Sequence, residues 1–177
     1  MFSCVKSKRE NYLLKSQNIF LRKLESTDVD LILEWENNIE NWEVSGTVKP
    51  FTKEEIEQFV NGNHDIYENK QIRYVICLVA NNRAIGALDL FEFDSQNKTV
   101  GVGVLIAETE NRRTGYASDS LNLICDYCSN ELNVVTIFCN ILKDNIASIR
   151  LFEKNGFQFV EERILFKKPI NYYELKL

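Results

Sequence analysis

The chain has a single histidine, His64, among 177 residues. That scarcity excludes a histidine-rich metal cage and any scheme needing two imidazoles. An excess of positive charge is also lacking. Lys and Arg number 21 against 26 Asp and Glu, a formal net charge of -5, so nothing favours nucleic acid as a partner, and mild acidity suits a cationic small substrate. No apolar run approaches a membrane span. The opening MFSCVKSKRENYLLKS is basic but has no apolar core of the kind a secretory signal needs, which predicts a cytoplasmic protein. The five cysteines, at positions 4, 77, 125, 128 and 139, are odd in number and do not look like a disulfide framework. Cys125 and Cys128 have CxxC spacing, but there is no second pair, so buried reduced thiols and no metal are expected.

What is present suits one globular domain, with 45% hydrophobic and 27% charged residues in a chain long enough to bury a core. Residues 1–16 show no periodicity and are expected to form a flexible N-terminal arm, leaving 17–177 as the domain. Repeats, low-complexity tracts and linkers are missing.

From Ile19 to Leu24 the chain alternates as a strand with Arg22 outward. Ser26 to Asp28 place a capping residue ahead of the helical spacing of Val29, Leu31, Ile32 and Trp35. A polar stretch, Asn37 to Pro50, carries Trp42. Thr52 and Glu55 then form a capping box that opens a helix through Ile56, Phe59 and Val60. Tyr74 to Ala80 is a compact apolar strand, Asn81-Asn82 a hairpin turn and Ala84 to Phe93 the next strand. From Leu88 its alternation puts Asp89, Phe91 and Phe93 on one face and Leu88, Leu90 and Glu92 on the other. Ser95 to Lys98 turns into a glycine-bearing strand. A helix follows from about Thr114 through Leu121, Ile124 and Cys128. Val134 to Cys139 reads as a strand, and Asn145 to Lys154 as a helix stopped by Gly156. Phe157 to Phe166 and Tyr172 to Leu177 close the chain as antiparallel strands. Hairpins early and crossover helices late make a mixed α/β order.

The organising stretch is Thr99 to Ser118, TVGVGVLIAETENRRTGYAS. Gly101 and Gly103 mark a bulge or a close approach of backbone or ligand. Beyond them Arg112, Arg113, Thr114, Gly115, Tyr116 and Ala117 would form the first turn of a helix whose leading N–H groups have no internal partners. Small residues and two arginines there make an anion cradle fit for phosphates.

A second stretch, DNIASIRLFEKNGF from Asp144 to Phe157, gives the first its context. Together the two resemble the GNAT superfamily of acetyl-coenzyme A-dependent N-acetyltransferases. The family's R/Q-x-x-G-x-G/A turn is matched by Arg112, Gly115 and Ala117, and its Asn-led helix by Asn145 to Phe157. The resemblance implies the GNAT fold: a central mixed, mostly antiparallel sheet flanked by helices. Its fourth and fifth strands splay apart, with the coenzyme wedged between them. It implies acetyl-CoA as co-substrate, with Leu105, Ile106 and Ala107 offering backbone groups to the pantetheine. Asn145 and Ser148 would lie across from them, although Asn145 also reads as a helix cap.

Acetyl transfer needs a neutral amine, a place for the oxyanion and a route for the thiolate. A lysine-like or polyamine nitrogen forfeits roughly 4–5 kcal/mol in being neutral at pH 7, an α-amino group about 1 kcal/mol. A base therefore matters more for the first. The candidates are Glu92 as base and Asp89 as attractor; the run from Gly86 to Asp94 resembles the corresponding strand of spermidine N-acetyltransferases. The same acids also read as a solvated edge or a partner for Lys98. Backbone N–H groups around Val104 to Ile106 would meet the thioester oxygen. Phe152 stands where many relatives carry a tyrosine that protonates the thiolate. The reading is thus an acetyltransferase acting on a polyamine or other small amine. A protein N-terminal amine, as in ribosomal-protein acetylating relatives, is the alternative, and a coenzyme-binding module without turnover a third. A homo-oligomer is compatible with the sequence but not specified by it.

Overall fold

A computed structural model describes residues 14–45, 49–165 and 167–177. Seven strands form one sheet in the order β1-β2-β3-β4-β5-β7-β6. They are β1 (Ile19–Lys23), β2 (Ile72–Leu78), β3 (Ala84–Asp94), β4 (Thr99–Ile106), β5 (Thr136–Leu142), β6 (Gln158–Leu165) and β7 (Lys168–Lys176). The helices are α1 (Val29–Asn37), α2 (Ile39–Ser45), α3 (Lys53–Val60), α4 (Tyr116–Asn130) and α5 (Ile146–Lys154). Every strand pair is antiparallel except β4 with β5. That parallel pairing stops at Gly101 opposite Phe138, while β4 continues to Ile106 and β5 to Leu142. Past Gly101 the two strands part, and the sheet opens into a wedge.

Each face of the sheet is buried by its own helices. Leu121, Ile124 and Cys128 of α4 and Phe152 of α5 pack with Ile76, Leu88, Leu90 and Val102. On the opposite face Ile32 and Trp35 of α1 and Ile56 and Val60 of α3 cover Val75, Cys77 and Ala87. A smaller cluster, Phe138, Ile170 and Tyr172 with Phe91, lies farther along the sheet. Side-chain caps account for the starts of α3 and α5, whereas the cap expected from Ser26 to Asp28 makes no side-chain bond to α1. Thr52 Oγ1 accepts from Glu55 N at 3.2 Å and Glu55 Oε2 accepts from Thr52 N at 2.8 Å, closing the capping box. Gly156, at φ +90°, ends α5 in the left-handed conformation that suits glycine.

Several expectations change. Arg22 is not turned outward: its guanidinium forks onto Asp28, NH1 to Oδ2 and NH2 to Oδ1 both at 2.7 Å. The polar stretch after Asn37 holds α2, anchored by Trp42 Nε1 to Glu36 O at 2.8 Å and by buried Asn41 Nδ2 to Trp35 O at 2.9 Å. Phe93 does not share a face with Asp89. A bulge between Phe91 and Asp94, with Glu92 at φ +51°, shifts the phase and sends Phe93 into the core beside Leu88 and Leu90. Helix α4 begins at Tyr116, not Thr114, because Arg113 at φ +62° and Gly115 at φ +97° are left-handed and cannot belong to a right-handed turn. Of the expected arm, residues 1–13 lie outside the described residues. Leu14 is buried, and its carbonyl accepts from Leu21 N at 2.7 Å. Cys125 and Cys128 sit in α4 as free thiols; burial pushes the Cys125 pKa up to about 12 and raises that of Cys128 as well.

Candidate active site

Two cavities meet on opposite sides of the end of β4. The first, about 550 Å³, lies in the wedge between β4, the start of α4 and α5. Val104 to Ile106 form one wall, Arg112, Arg113 and Gly115 to Ser118 a second, Asn145, Ser148 and Leu151 a third. In the antiparallel ladder, residues alternate between facing the partner strand and facing away. Ala107 N donates to Ile85 O at 2.9 Å, so with the β3–β4 register Leu105 also faces β3, and Val104 and Ile106 turn their backbone groups toward the wedge. Of the expected trio, Leu105 and Ile106 line the wedge and Ala107 does not. Ala107 is engaged at both ends, its carbonyl accepting from Arg112 at 3.3 Å, and Val104 lines the wedge as well.

The elbow has the form an anion requires. Gly115 caps α4 without a side-chain hydrogen bond, and the helix's own bonding starts with Asp119 N to Gly115 O at 3.0 Å. The preceding N–H groups are the unpaired donors of a helix start. Arg112 does not aim its side chain into this space. Its Nε donates to Ile106 O at 2.9 Å and its NH2 to Asn41 Oδ1 at 2.8 Å, so it ties the elbow to the strand end and to α2. Thr114 turns its hydroxyl back to Asn111 O at 2.7 Å and does not line the cavity. Arg113 remains at the wall, joined by Arg150 and Lys154 of α5, two cations the sequence reading missed. Their spacing of four on one helix face was the signal. Asn145 caps α5, its Oδ1 accepting from Ser148 N at 3.0 Å, and also lines the cavity. Phe152 does not line it: the ring is buried and packs edge to face on Phe157, centroids 4.9 Å apart.

The second cavity, about 540 Å³, opens on the face covered by α1 and α3 and shares Val104 and Leu105 with the first. Trp35, Phe51, Ile56 and Phe59 supply its apolar walls, and Glu36, Glu55, Arg73 and Asp89 its charges. Arg73, Asp89 and Gly103 are neighbours across β2, β3 and β4, so the absence of a side chain at Gly103 leaves Asp89 facing open space. Arg73 binds Asp89 through two hydrogen bonds, Nε to Oδ1 at 2.7 Å and NH2 to Oδ2 at 2.8 Å, and Glu36 through a third, NH1 to Oε1 at 2.6 Å. It also lies 5.0 Å from the Phe59 ring centroid. Burial alone would lower its pKa, but the two carboxylates outweigh it and the guanidinium is held firmly charged. Glu55 is occupied in its capping box. Glu92 is elsewhere. The bulge turns it to a separate cavity of about 290 Å³ with Phe138, Asn140 and Arg163, so Glu92 leaves the face of Leu88 and Leu90 on which alternation placed it, and the expected base and attractor open onto different cavities. Glu36, Glu55 and Arg73, which line this second cavity, were missed as well. A charged residue opening the otherwise apolar IRYVICL strand was the available hint.

An open mixed sheet with a glycine elbow at the mouth of its wedge, and a second cavity behind the same strand, defines the acyl-CoA N-acyltransferase class of fold. The chain belongs to the family described as the acetyltransferase (GNAT) domain, which matches residues 18–158. It is an acetyl-CoA-dependent N-acetyltransferase, with acetyl-CoA as co-substrate. A probable N-acetyltransferase, YjcK of Bacillus subtilis, is 25% identical over 151 residues, covering 82% of this chain and 83% of its own. Among solved structures, Vibrio cholerae spermidine N-acetyltransferase in complex with CoA and spermine aligns with a TM-score of 0.80 at 21% identity, over 91% of this chain and 96% of that one. RimL, a ribosomal L7/L12 alpha-N-protein acetyltransferase in complex with CoA, aligns with a TM-score of 0.80 at 18% identity, over 93% and 98%.

Proposed function

We propose that the chain acetylates the α-amino group at the exposed N-terminus of a peptide or protein. Three carboxylates stand in the acceptor cavity, and the observation that carries this reading is that Arg73 binds two of them, Glu36 and Asp89. Both oxygens of Asp89 are engaged by the Arg73 guanidinium, and Glu36 is tied to it through Oε1. An α-amino nitrogen forfeits only about 1 kcal/mol in being neutral at pH 7, against roughly 4–5 kcal/mol for a polyamine nitrogen, so it least needs the base that this cavity lacks. The apolar walls from Trp35, Phe51 and Phe59 suit a first side chain beside the amine, and Gly103 leaves room for peptide backbone.

In the wedge, the N–H groups at the start of α4, with Arg113, Arg150 and Lys154, hold the pyrophosphate and phosphate of the coenzyme, which supplies the acetyl thioester. Backbone groups of Val104 and Ile106 position the pantetheine, and the Val104 N–H serves the thioester oxygen as negative charge grows there. The amine approaches from the Asp89 side. Its nitrogen bonds to the carbonyl carbon, the carbon–sulfur bond breaks with its electron pair leaving on the coenzyme thiolate, the amine proton passes to solvent through the open cavity, and the thiolate takes a proton from solvent.

A small cationic amine is the second reading, favoured by the surplus of acids over cations in the acceptor cavity. Thiol release with acetyl-CoA and a panel of acceptors decides between them. Peptides with a free N-terminus are expected to turn over faster than N-terminally blocked peptides and faster than spermidine. Turnover with spermidine alone supports the second reading, and coenzyme binding without release of thiol to any acceptor overturns both.

A further inference from the structure

Glu40, Asn41 and Trp42 of α2 line neither of the two large cavities, yet each bonds to a segment that shapes one. On the side of the wedge, Thr109 Oγ1 donates to Glu40 Oε2 at 3.1 Å and Arg112 NH2 to Asn41 Oδ1 at 2.8 Å. On the other side, Asn41 Nδ2 donates to Trp35 O at 2.9 Å and Trp42 Nε1 to Glu36 O at 2.8 Å. Trp35 and Glu36 both line the second cavity. A helix of seven residues is too short to hold itself, and Ile39 at its start is 74% exposed, so these bonds fix where α2 sits. Of the three side chains, Asn41 alone is bonded on both sides. On the reading that places the coenzyme in the wedge and the acceptor in the second cavity, we propose that Asn41 is a positioning residue for acetyl transfer. It carries the placement of the glycine elbow to Trp35 and Glu36, and so sets the wall against which the acceptor is held.

The link requires an amide. Asn41 is 1% exposed, so its polar atoms need partners inside the protein. The Trp35 carbonyl can only accept and the Arg112 guanidinium can only donate, so residue 41 has to donate on one side and accept on the other. Asparagine does both from one planar group. A carboxylate in its place keeps the bond to Arg112, strengthened by charge, but turns a lone pair on the Trp35 carbonyl. Alanine removes both bonds. The wall responds because the Trp35 and Glu36 carbonyls lie in the last turn of α1, where helix carbonyls have no partner within the helix. Asn41 and Trp42 supply those partners, and the side chains that line the cavity hang from the same two residues. Glu36 passes the placement on through Arg73 to Asp89.

Coenzyme A titration and steady-state kinetics test this role, with an N-terminally free peptide as acceptor, or spermidine where that alone turns over. Asn41→Asp should keep the coenzyme A Kd within about twofold of wild type while the acceptor KM rises about fivefold, the scale of one hydrogen bond. Asn41→Ala should weaken both; should it fail to fold, the Asn41→Asp comparison decides by itself. A part confined to holding the elbow predicts instead that Asn41→Asp matches wild type in both constants, and that result overturns the proposal. A second readout needs no acceptor. Trp35 and Trp42 are the only tryptophans, so in a Trp42→Phe background the fluorescence is that of Trp35. Acrylamide should quench it about twofold more strongly after Asn41→Asp, as the wall loosens. Unchanged quenching overturns the link from Asn41 to the wall, and stronger quenching with an unchanged acceptor KM overturns the positioning role. Stronger quenching in a chain that acetylates no acceptor overturns the acceptor assignment, and the positioning role falls with it while the link stands.

Discussion

Arg73 and Asp89 face each other directly across β2 and β3 and are joined by two hydrogen bonds of 2.7 and 2.8 Å. Glu36 reaches the same guanidinium at 2.6 Å from α1. The arrangement ties the helical cover of the cavity to its floor. Arg73→Met would leave two carboxylates together in a half-buried site, so we expect a loss of about 2–4 kcal/mol, toward the range for breaking a buried pair. Asp89→Asn, which leaves Arg73 its Glu36 partner, should cost less than half as much. Urea unfolding of both variants checks the order, and equal losses would contradict it.

Glu92 sits at φ +51° in a bulge and lines the cavity beside Phe138 and Arg163, whereas Asp89 lines the one that shares Val104 and Leu105 with the coenzyme wedge. Glu92→Gln is therefore expected to leave kcat and KM within about twofold across pH 6 to 9, far short of the hundredfold or more carried by a general base. A drop of that size in Glu92→Gln would return it to the chemistry.

At the proposed coenzyme site, Gly115 is the backbone position expected to be sensitive. A Cβ there meets nothing within 4 Å, but φ is +97°, so Gly115→Ala should cost stability by strain alone, about 1–2 kcal/mol, and weaken coenzyme A binding as the elbow relaxes. Arg150→Ala and Lys154→Ala should each weaken binding by roughly three- to tenfold and flatten its salt dependence, because these cations sit at the cavity wall. Arg112→Ala differs: loss of its bonds to Ile106 O and Asn41 should lower stability as well as affinity. Isothermal titration at two salt concentrations, paired with thermal unfolding, separates the classes.

What could be read from the residue order is what local chemistry governs. The capping box at Thr52 and Glu55, the Asn145 cap and the stop at Gly156 are each determined within a few residues, and all three stand where the sequence placed them; the glycine elbow is present too, but its left-handed Arg113 and Gly115 move the helix start to Tyr116. The missed features depend on residues far apart. Helix α2 lies in a polar stretch, and Asn41 within it is held by Trp35 and by Arg112, 71 residues away. The phase of Phe93 turns on one bulged residue, Glu92. Arg73 and Asp89 are 16 residues apart, and their meeting follows from the β2–β3 register, which the alternation pattern does not number.

Acid stability should depend on Asp28. Burial by itself raises its pKa, but the Arg22 fork, the Glu25 N–H and the Arg22 charge outweigh that, and the net shift is downward. A carboxyl whose folded pKa lies below its unfolded value contributes stability that is complete above the unfolded pKa, near 4, and is lost as pH falls through the folded one. Unfolding free energy should thus decline below about pH 4 in the wild type. Asp28→Asn should be less stable at pH 7 and show a shallower decline. A parallel decline in the two proteins would remove Asp28 from the account.

Phe152 carries the sharpest change from the sequence reading. Its place seven residues after Asn145 is where the resemblance puts a phenol aimed at the coenzyme sulfur, which predicts that Phe152→Tyr would raise turnover. In the folded chain Leu151 and Lys154, not Phe152, line the wedge, and the Phe152 ring lies in the main core, 3% exposed, edge to face with Phe157. A hydroxyl added there enters the apolar core cluster that also holds Leu121, Ile124 and Val102. A buried hydroxyl without a partner costs about 1–3 kcal/mol. We therefore expect Phe152→Tyr to lower the unfolding free energy by that amount and to leave turnover no higher at any pH up to the phenol's own pKa near 10. Phe152→Leu, which keeps the site apolar but removes the aromatic edge contact, should destabilise to a similar degree through lost packing and leave the pH profile unchanged. Rising turnover in Phe152→Tyr at alkaline pH, with stability intact, would show that the ring's far edge reaches the thiol after all and that thiolate protonation limits the rate.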